Sequence, residues 1–455
     1  MRQDRQMDMV NGPLLKNIIL FSIPLMLSNF LQLLFNAADT IIVGKFAGEN
    51  ALAAVGATGS LCFLLTSLFS GLSVGSNVVI ANAYGARDDD QIRRAVHTSI
   101  WLGIFCGLFL TAAGFFLSRP MLQLMSTPEN IIGGSTLYMR IYFAGVVALL
   151  IYNFGSAVLR SKGDTRRPLY FMMISGILNV LLNLLFVIAF KWDVAGVAVA
   201  TVISETVSAV LVIGALLKET DAARLDPKAI RFDWPSTRRI IAIGIPVGIQ
   251  GIVFALSNVV IQSGINSFDS SSIVAGNSAA ANLESFVYIG TGAFTQAEIT
   301  FTSQNIGAGK HKAVSRIMLE SLVLVTVSAF AIGYGAWYFG HTLLGLYTDA
   351  EAVKQVGLFR LEWVCKPLYL NGILDVFVNS MRGMGISTLP TIFMIAGICG
   401  VRLFWMATVF PPNRTLETIY MCYPISWIVT SVIQAVLWIF VYRHLKKKFA
   451  SRNAQ

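Results

Sequence analysis

The sequence predicts an all-α polytopic membrane protein of twelve transmembrane helices in two pseudo-symmetric bundles of six, and three observations carry that expectation. Of the 455 residues, 55% are hydrophobic and 13% charged, with a mean hydropathy of +0.67. A soluble core of this size cannot enclose so much apolar surface, so lipid is the expected solvent. Apolar runs of about 20 residues, enough to cross a hydrocarbon layer of about 30 Å, recur twelve times. The chain also repeats itself at one fixed offset. Ser22-Ile23-Pro24 returns as Gly244-Ile245-Pro246, Tyr84-Gly85-Ala86-Arg87 as Ile306-Gly307-Ala308-Gly309, and the Arg160, Gly163 and Pro168 of one loop as Arg382, Gly385 and Pro390, all in the same register. Six helices per half give both halves the same orientation, with function expected between them.

The first run, 15–43, is far longer than a signal-peptide core, and no small-residue cleavage site closes it. It reads as the first transmembrane helix. Pro24 lies inside it, where the missing N–H frees a carbonyl and permits a bend; the residue alone does not separate a static kink from a functional one. Runs at 51–82, 94–118, 135–159, 168–190 and 194–217 complete a first lobe, 1–217. The polar segment 218–239, rich in charge and containing Pro227 and Pro235, reads as a cytoplasmic linker. Runs at 240–266, 275–303, 317–340, 356–381, 389–410 and 417–442 build a second lobe, 240–442, before a basic tail, 443–455.

Lys and Arg are distributed unevenly over the connecting segments. Alternate loops and the termini hold 25 of them, including Arg93, Arg160, Lys162, Arg167, Lys310 and Lys447, against eight on the other side, among them Lys45, Arg140, Arg360 and Lys366. The positive-inside bias places both termini in the cytoplasm. The net charge of +10 is thereby a matter of topology and anionic headgroups, and points away from nucleic acid. No phosphate-binding Gly-x-x-x-x-Gly-Lys-Ser/Thr loop occurs, so no ATP is expected and the driving force is an ion gradient. The four histidines lie near span ends or in loops, without a His-Glu-x-x-His arrangement, so an enzyme is not expected. Five cysteines, odd in number and scattered through apolar runs, read as small core residues.

Ionisable groups inside apolar runs carry the functional information, because each costs at least about 2.5 kcal/mol at the bilayer centre unless it faces a cavity or a partner. Asp39 in the first helix is suited to take up and release a proton, or to bind Na+ where neutral oxygens complete a shell. Asn179 and Asn183, four apart on one face of the fifth helix, and the Thr201 hydroxyl in the sixth supply such oxygens. The alternative, that Asn and Thr join helices by hydrogen bonds, stays open. Glu284 in the eighth helix and Asp375 in the tenth are candidates for lining a cavity and attracting a cationic substrate. Glu205, Glu298 and Arg402 are read as structural, or as pairing with one another. Abundant Phe and Met suit both lipid contact and a pocket that adapts to many shapes.

Pro24 to Asp39 with Val43-Gly44, then Ala51-Leu52-Ala53-Ala54-Val55-Gly56, Leu159 to Pro168 and Gln304-Asn305-Ile306-Gly307-Ala308-Gly309, resemble the multidrug and toxic compound extrusion (MATE) family over nearly the whole chain. The resemblance implies two six-helix lobes forming a V in a bacterial inner membrane, functional as a monomer without a cofactor. It also implies export of cationic, amphipathic small molecules in exchange for Na+ or H+. The family's first-lobe ion site falls on Asp39, Asn179, Asn183 and Thr201, and it replaces a second carboxylate of some relatives by Asn183. The resemblance attaches a bend of the first helix to Pro24 and a second-lobe acid to Asp375, whereas Asn258 and Gln262 stand in the seventh helix, where some relatives carry an acid. A flippase for a lipid-linked oligosaccharide, of the same broad superfamily, is the alternative; it calls for a strongly cationic cavity, and the intramembrane charges here are mainly acidic.

Overall fold

The computed structural model describes residues 7–453, and among these the secondary structure is helical throughout. The first half contains α1 (Leu14–Ile42), α2 (Glu49–Ala86), α3 (Asp89–Leu124), α4 (Glu129–Ser161), α5 (Arg166–Asn183) and α6 (Asp193–Leu217). The second contains α7 (Trp234–Asn266), α8 (Ser271–Gly307), α9 (His311–Tyr338), α10 (Gly340–Gly345), α11 (Glu351–Arg360), α12 (Tyr369–Gly383), α13 (Thr388–Met394), α14 (Val401–Thr408) and α15 (Leu416–Asn453). Several helices run well past their apolar stretches: α2 continues beyond 82 to Ala86, and α3 beyond 118 to Leu124.

The internal repeat survives as geometry. Glu49 and Ser271, Asp89 and His311, Glu129 and Glu351, and Arg166 and Thr388 open corresponding helices, every pair at the offset that relates Pro24 to Pro246. The pairing makes α9 with α10 the counterpart of α3, α11 with α12 that of α4, and α13 with α14 that of α5. The repeated loop motifs have a backbone cause. Arg87 and Gly309 sit at φ 55° and 72°, and Gly163 and Gly385 at φ 97° and 85°, left-handed conformations that end a helix. The following N–H then reaches back to a carbonyl near the helix end: Asp88 to Ala83 at 3.1 Å, Lys310 to Asn305 at 2.8 Å, Asp164 to Leu159 and Ile386 to Met381 at 3.0 Å. These closures satisfy carbonyls that would otherwise be orphaned, and glycine enters the left-handed region without steric cost.

Ten of the helical segments are long and apolar enough to cross a membrane. The eighth and tenth of the twelve, α8 and the run from α11 to α12, fall short because of their polar content. Asn277, Glu284 and Glu298 lie in the first, and Arg360, Glu362, Lys366, Asp375 and Arg382 in the second. Most of these side chains are buried, so the two helices spend their polar groups on the protein interior. The second run is also broken, by a π-helical turn at Leu361–Cys365 and a 3-10 turn at Lys366–Leu368. α1 is continuous through Pro24. All five cysteines are buried and unpaired.

Two compact units divide inside helices: Leu27–Gly248 belongs to one, and Asp8–Met26 with Ile249 onward to the other. Within the first, α2 and the start of α7 pack through small residues. A Cβ on Gly71 would lie 2.6 Å from the Gly244 carbonyl oxygen and the Gly248 nitrogen, so the two backbones touch where a side chain would separate them. The linker lies in this unit and is tied down by ion pairs. Lys162 Nζ, nearly buried, contacts Glu219 at 2.5 Å and Asp221 at 2.9 Å, while Arg167 bridges Asp164 and Glu219. The Tyr84 hydroxyl donates to Asp221 at 3.1 Å, and the Asp226 N–H donates to His97 Nε2 at 3.0 Å. Burial pushes the Asp221 carboxyl upward, but the hydrogen bond and charge of Lys162 with the Tyr84 hydroxyl outweigh it and hold the carboxyl below the ordinary aspartate range.

Candidate functional site

Each unit contains a cavity with polar side chains in its lining. The first, roughly 110 Å³, is bounded by α1, α5 and α6 and lined by Asp39, Asn179, Thr201, Ser204 and Glu205 among others. The sequence-predicted cluster is brought together. Asn183 Nδ2 donates to Asp39 Oδ1, and also to Asn179 Oδ1 at 3.2 Å. Asn179 Nδ2 in turn donates to Thr201 Oγ1 at 3.4 Å, and the Thr201 hydroxyl to the Val197 carbonyl at 3.0 Å. The i, i+4 spacing of the two asparagines makes this chain possible on the last turn of α5, where a π-helical turn over Leu184–Ala189 follows.

Among the described residues, three oxygens of the cluster and the cavity lining are buried without a partner, Asn183 Oδ1, Ser204 Oγ and Glu205 Oε2. Buried acceptors left this way cost on the order of 1–3 kcal/mol each, and a cation or a proton satisfies them. Asp39 with neutral oxygens suits one monovalent charge; among the described residues no group of three His, Cys, Asp or Glu side chains forms a metal cluster. Glu205 has no ion pair among the described residues and faces the same cavity as Asp39, so this unit offers a second carboxylate on α6 even though position 183 is Asn. Pro24 lies in the part of α1 that belongs to the other unit.

The second cavity is larger, about 500 Å³, and is bordered by α7, α8, α11, α12 and the segment from α13 to α15. Asp375 and Glu284 both line it, as their positions suggested, but their states differ. Glu284 Oε2 lies 2.7 Å from Arg360 Nη2, and both side chains are buried. Arg360 Nη1 also donates to Asn277 Oδ1 at 2.6 Å, which accepts the Tyr420 hydroxyl at 3.2 Å. Glu284 is therefore a compensated charge. Sequence reading counted Arg360 among the basic span flanks; the structure puts it inside, and its place within the apolar run 356–381 was the available signal. Asp375 keeps a neutral partner, the Asn371 amide at 3.1 Å. Arg402 is also buried and lines the cavity, with its guanidinium 4.3 Å from the Tyr423 ring centroid and 5.9 Å from that of Trp427. Asn258 and Gln262 contribute amides, whereas Glu298 is buried away from the cavity with both carboxylate oxygens unpartnered among the described residues.

Comparison with known proteins follows the same two halves. The family model described as MatE matches residues 24–185 and 246–406, segments that begin at the equivalent prolines Pro24 and Pro246. A Bacillus subtilis (strain 168) protein named "Probable multidrug resistance protein YpnP" is 30% identical over 83% of this chain and 84% of its own length. A Shewanella oneidensis protein named "FAD transporter" is 25% identical over 82% and 83%. In fold, a MOP superfamily transporter from Pyrococcus furiosus superposes with a TM-score of 0.90 at 20% identity, covering 96% of this chain and 98% of that one. The match spans both halves of the chain, reaches from the proline of each half's first helix into the fifth helix of that half, and is shared by full-length relatives: this chain belongs to the MatE family of multi-pass membrane transporters.

Proposed function

We propose that this protein is a secondary multidrug antiporter of a bacterial inner membrane, exporting amphipathic compounds that bear a cationic group in exchange for Na+ or H+ by alternating access. The observation that carries this reading is the hydrogen-bonded chain Asp39–Asn183–Asn179–Thr201 beside a cavity that Glu205 also lines. It offers one ion a carboxylate, unused oxygens and an escape from lipid. Substrate is held in the larger cavity, where Asp375, which makes no ion pair within 4.0 Å among the described residues, supplies the negative charge. Ion and substrate prefer opposite conformations, since a ligand shifts an equilibrium only through its differential affinity for the two states. Bending of α1 at Pro24 is the expected conformational element. The basic loops support cytoplasmic termini, and nothing in the mechanism requires a second copy of the chain.

Reconstitution in liposomes tests it. Export of a fluorescent cation under an imposed Na+ or H+ gradient should be driven by one of the two, and Asp39→Asn should abolish accumulation against a gradient while leaving the protein folded. A variant that still concentrates the dye would remove Asp39 from the coupling step.

A further inference from the structure

The larger cavity contains four ionisable side chains that the fold does not treat alike. Glu284 and Arg360 neutralise one another at 2.7 Å. That leaves Asp375 and Arg402, and among the described residues neither lies within 4.0 Å of an opposite charge. Arg402 is the more unusual. It sits near the start of α14, 6% exposed, and its Nε donates to Ser426 Oγ at 3.2 Å. Its guanidinium carbon lies 4.3 Å from the Tyr423 ring centroid, and Nε is the group with a hydrogen-bond partner among the described residues, which leaves the Nη donors for the cavity that Arg402 lines.

A comparison within the same unit sharpens the point. Arg382 is equally buried, and although its Nε has no partner among the described residues, both of its Nη groups are answered, by Asn379, Gln250 and Thr391. Among the described residues Arg402 lacks such an array. A guanidinium inside a membrane span is costly, and contact with an aromatic ring returns only part of that cost. The fork of an arginine is matched in shape and charge by a carboxylate, which accepts two parallel hydrogen bonds.

The geometry points to Arg402 as the receptor for an oxyanion on the substrate, so that the cavity takes a zwitterionic amphipath, with its carboxylate on Arg402 and its cationic group toward Asp375. This rests on the proposed use of the cavity as the substrate site and adds to it the second charge. The Glu284–Arg360 pair then adds no net charge to the lining, and a substrate lacking either charge leaves Arg402 or Asp375 buried and unanswered. Such an unanswered group, more than any lost attraction, is what makes buried polar sites selective.

Rhodamine 110 and its methyl ester rhodamine 123 share one cationic ring system and differ in whether the carboxylate is free. Binding of both to the purified full-length protein in detergent, with no gradient, should favour the free acid by about tenfold, the equivalent of one good charge-assisted contact. Arg402→Gln should erase that preference, so that the two dyes bind within about twofold of one another. Arg402→Lys should restore part of it, since the charge remains and the fork is lost. Asp375→Asn should weaken both dyes together. Wild-type protein that binds the ester as tightly as the acid overturns the inference without any variant having to fold, and so does an Arg402→Gln protein that keeps the preference. Loss of ion-driven flux in liposomes with the acid preference intact would count against the antiport reading alone.

Discussion

Arg360 and Glu284 lie 2.7 Å apart on different helices, both buried, beneath the rings of Tyr420 and Tyr423. The pair joins α8 to α11, and both residues line the larger cavity. Its effect is to compensate the Glu284 charge, which under the proposed function leaves substrate attraction to Asp375.

Breaking this pair from one side should be costly. Glu284→Gln strands a buried guanidinium, and a loss of about 3–5 kcal/mol is expected. Glu284→Gln combined with Arg360→Met removes both charges and should recover most of it. Thermal unfolding in detergent of the two single variants and the double variant reads the coupling; an unchanged melting temperature in Glu284→Gln would show that the ion pair carries no stability.

The smaller cavity separates the two coupling ions by chemistry. Thr201→Val and Asn179→Leu each delete a neutral oxygen that Na+ would use and a proton would not. With Na+ as the coupling ion, the half-saturating Na+ concentration should rise about tenfold in each, equivalent to about 1.4 kcal/mol. With H+, transport should keep its pH profile. Glu205→Gln belongs in the same series, because its carboxylate faces the Asp39 cavity: fewer ions exchanged per substrate molecule, measured from the gradient at which flux reverses, is the expected result.

The linker anchorage should depend on acid. Asp221 is held below the ordinary aspartate range in the folded protein, so its contribution is present above the unfolded value of about 3.9 and fades as the pH falls through the depressed folded value. Hydrogen exchange of residues 218–233 should accelerate below about pH 4. Asp221→Asn should show faster exchange there already at neutral pH, with a shallower acid dependence. Protection that is the same in both proteins at every pH would detach Asp221 from the anchorage.

Close packing of α2 on α7 can be tested at Gly71. A side chain there meets backbone at 2.6 Å on both Gly244 and Gly248, with no flexible group to move aside. Gly71→Leu should cost at least about 1–3 kcal/mol through overpacking, seen as a lower melting temperature, whereas Gly56→Leu, at a glycine with open space around its Cβ position, should change it little.

Much of this protein was legible before any coordinate. Lipid as solvent, twelve spans, the internal duplication and the α1, α5 and α6 cluster at Asp39 all follow from signals that are local or periodic. Hydrophobic runs reveal spans because backbone groups in lipid must be satisfied within the helix. Asn179 and Asn183 reveal a shared face because helical spacing is fixed. The left-handed glycines at 163 and 385 stood out as a repeat because a backbone conformation, unlike a side-chain contact, is written at one position.

What the tertiary structure decided was pairing. Arg360 and Glu284 are 76 residues apart, and nothing in either segment states that they meet. The same holds for Lys162 with Glu219, read as a loop cation and found as a linker anchor, and for Arg402, whose meaning comes from the acids it does not touch. Whether a buried charge is compensated is a property of distances of a few ångströms between distant parts of the chain, because electrostatic attraction and hydrogen bonding fall away over that range. The sequence by itself placed Asp39, Glu284, Asp375 and Arg402 within the spans; only the folded chain determined that Arg360 joins them and which of these charges lack an ion-pair partner.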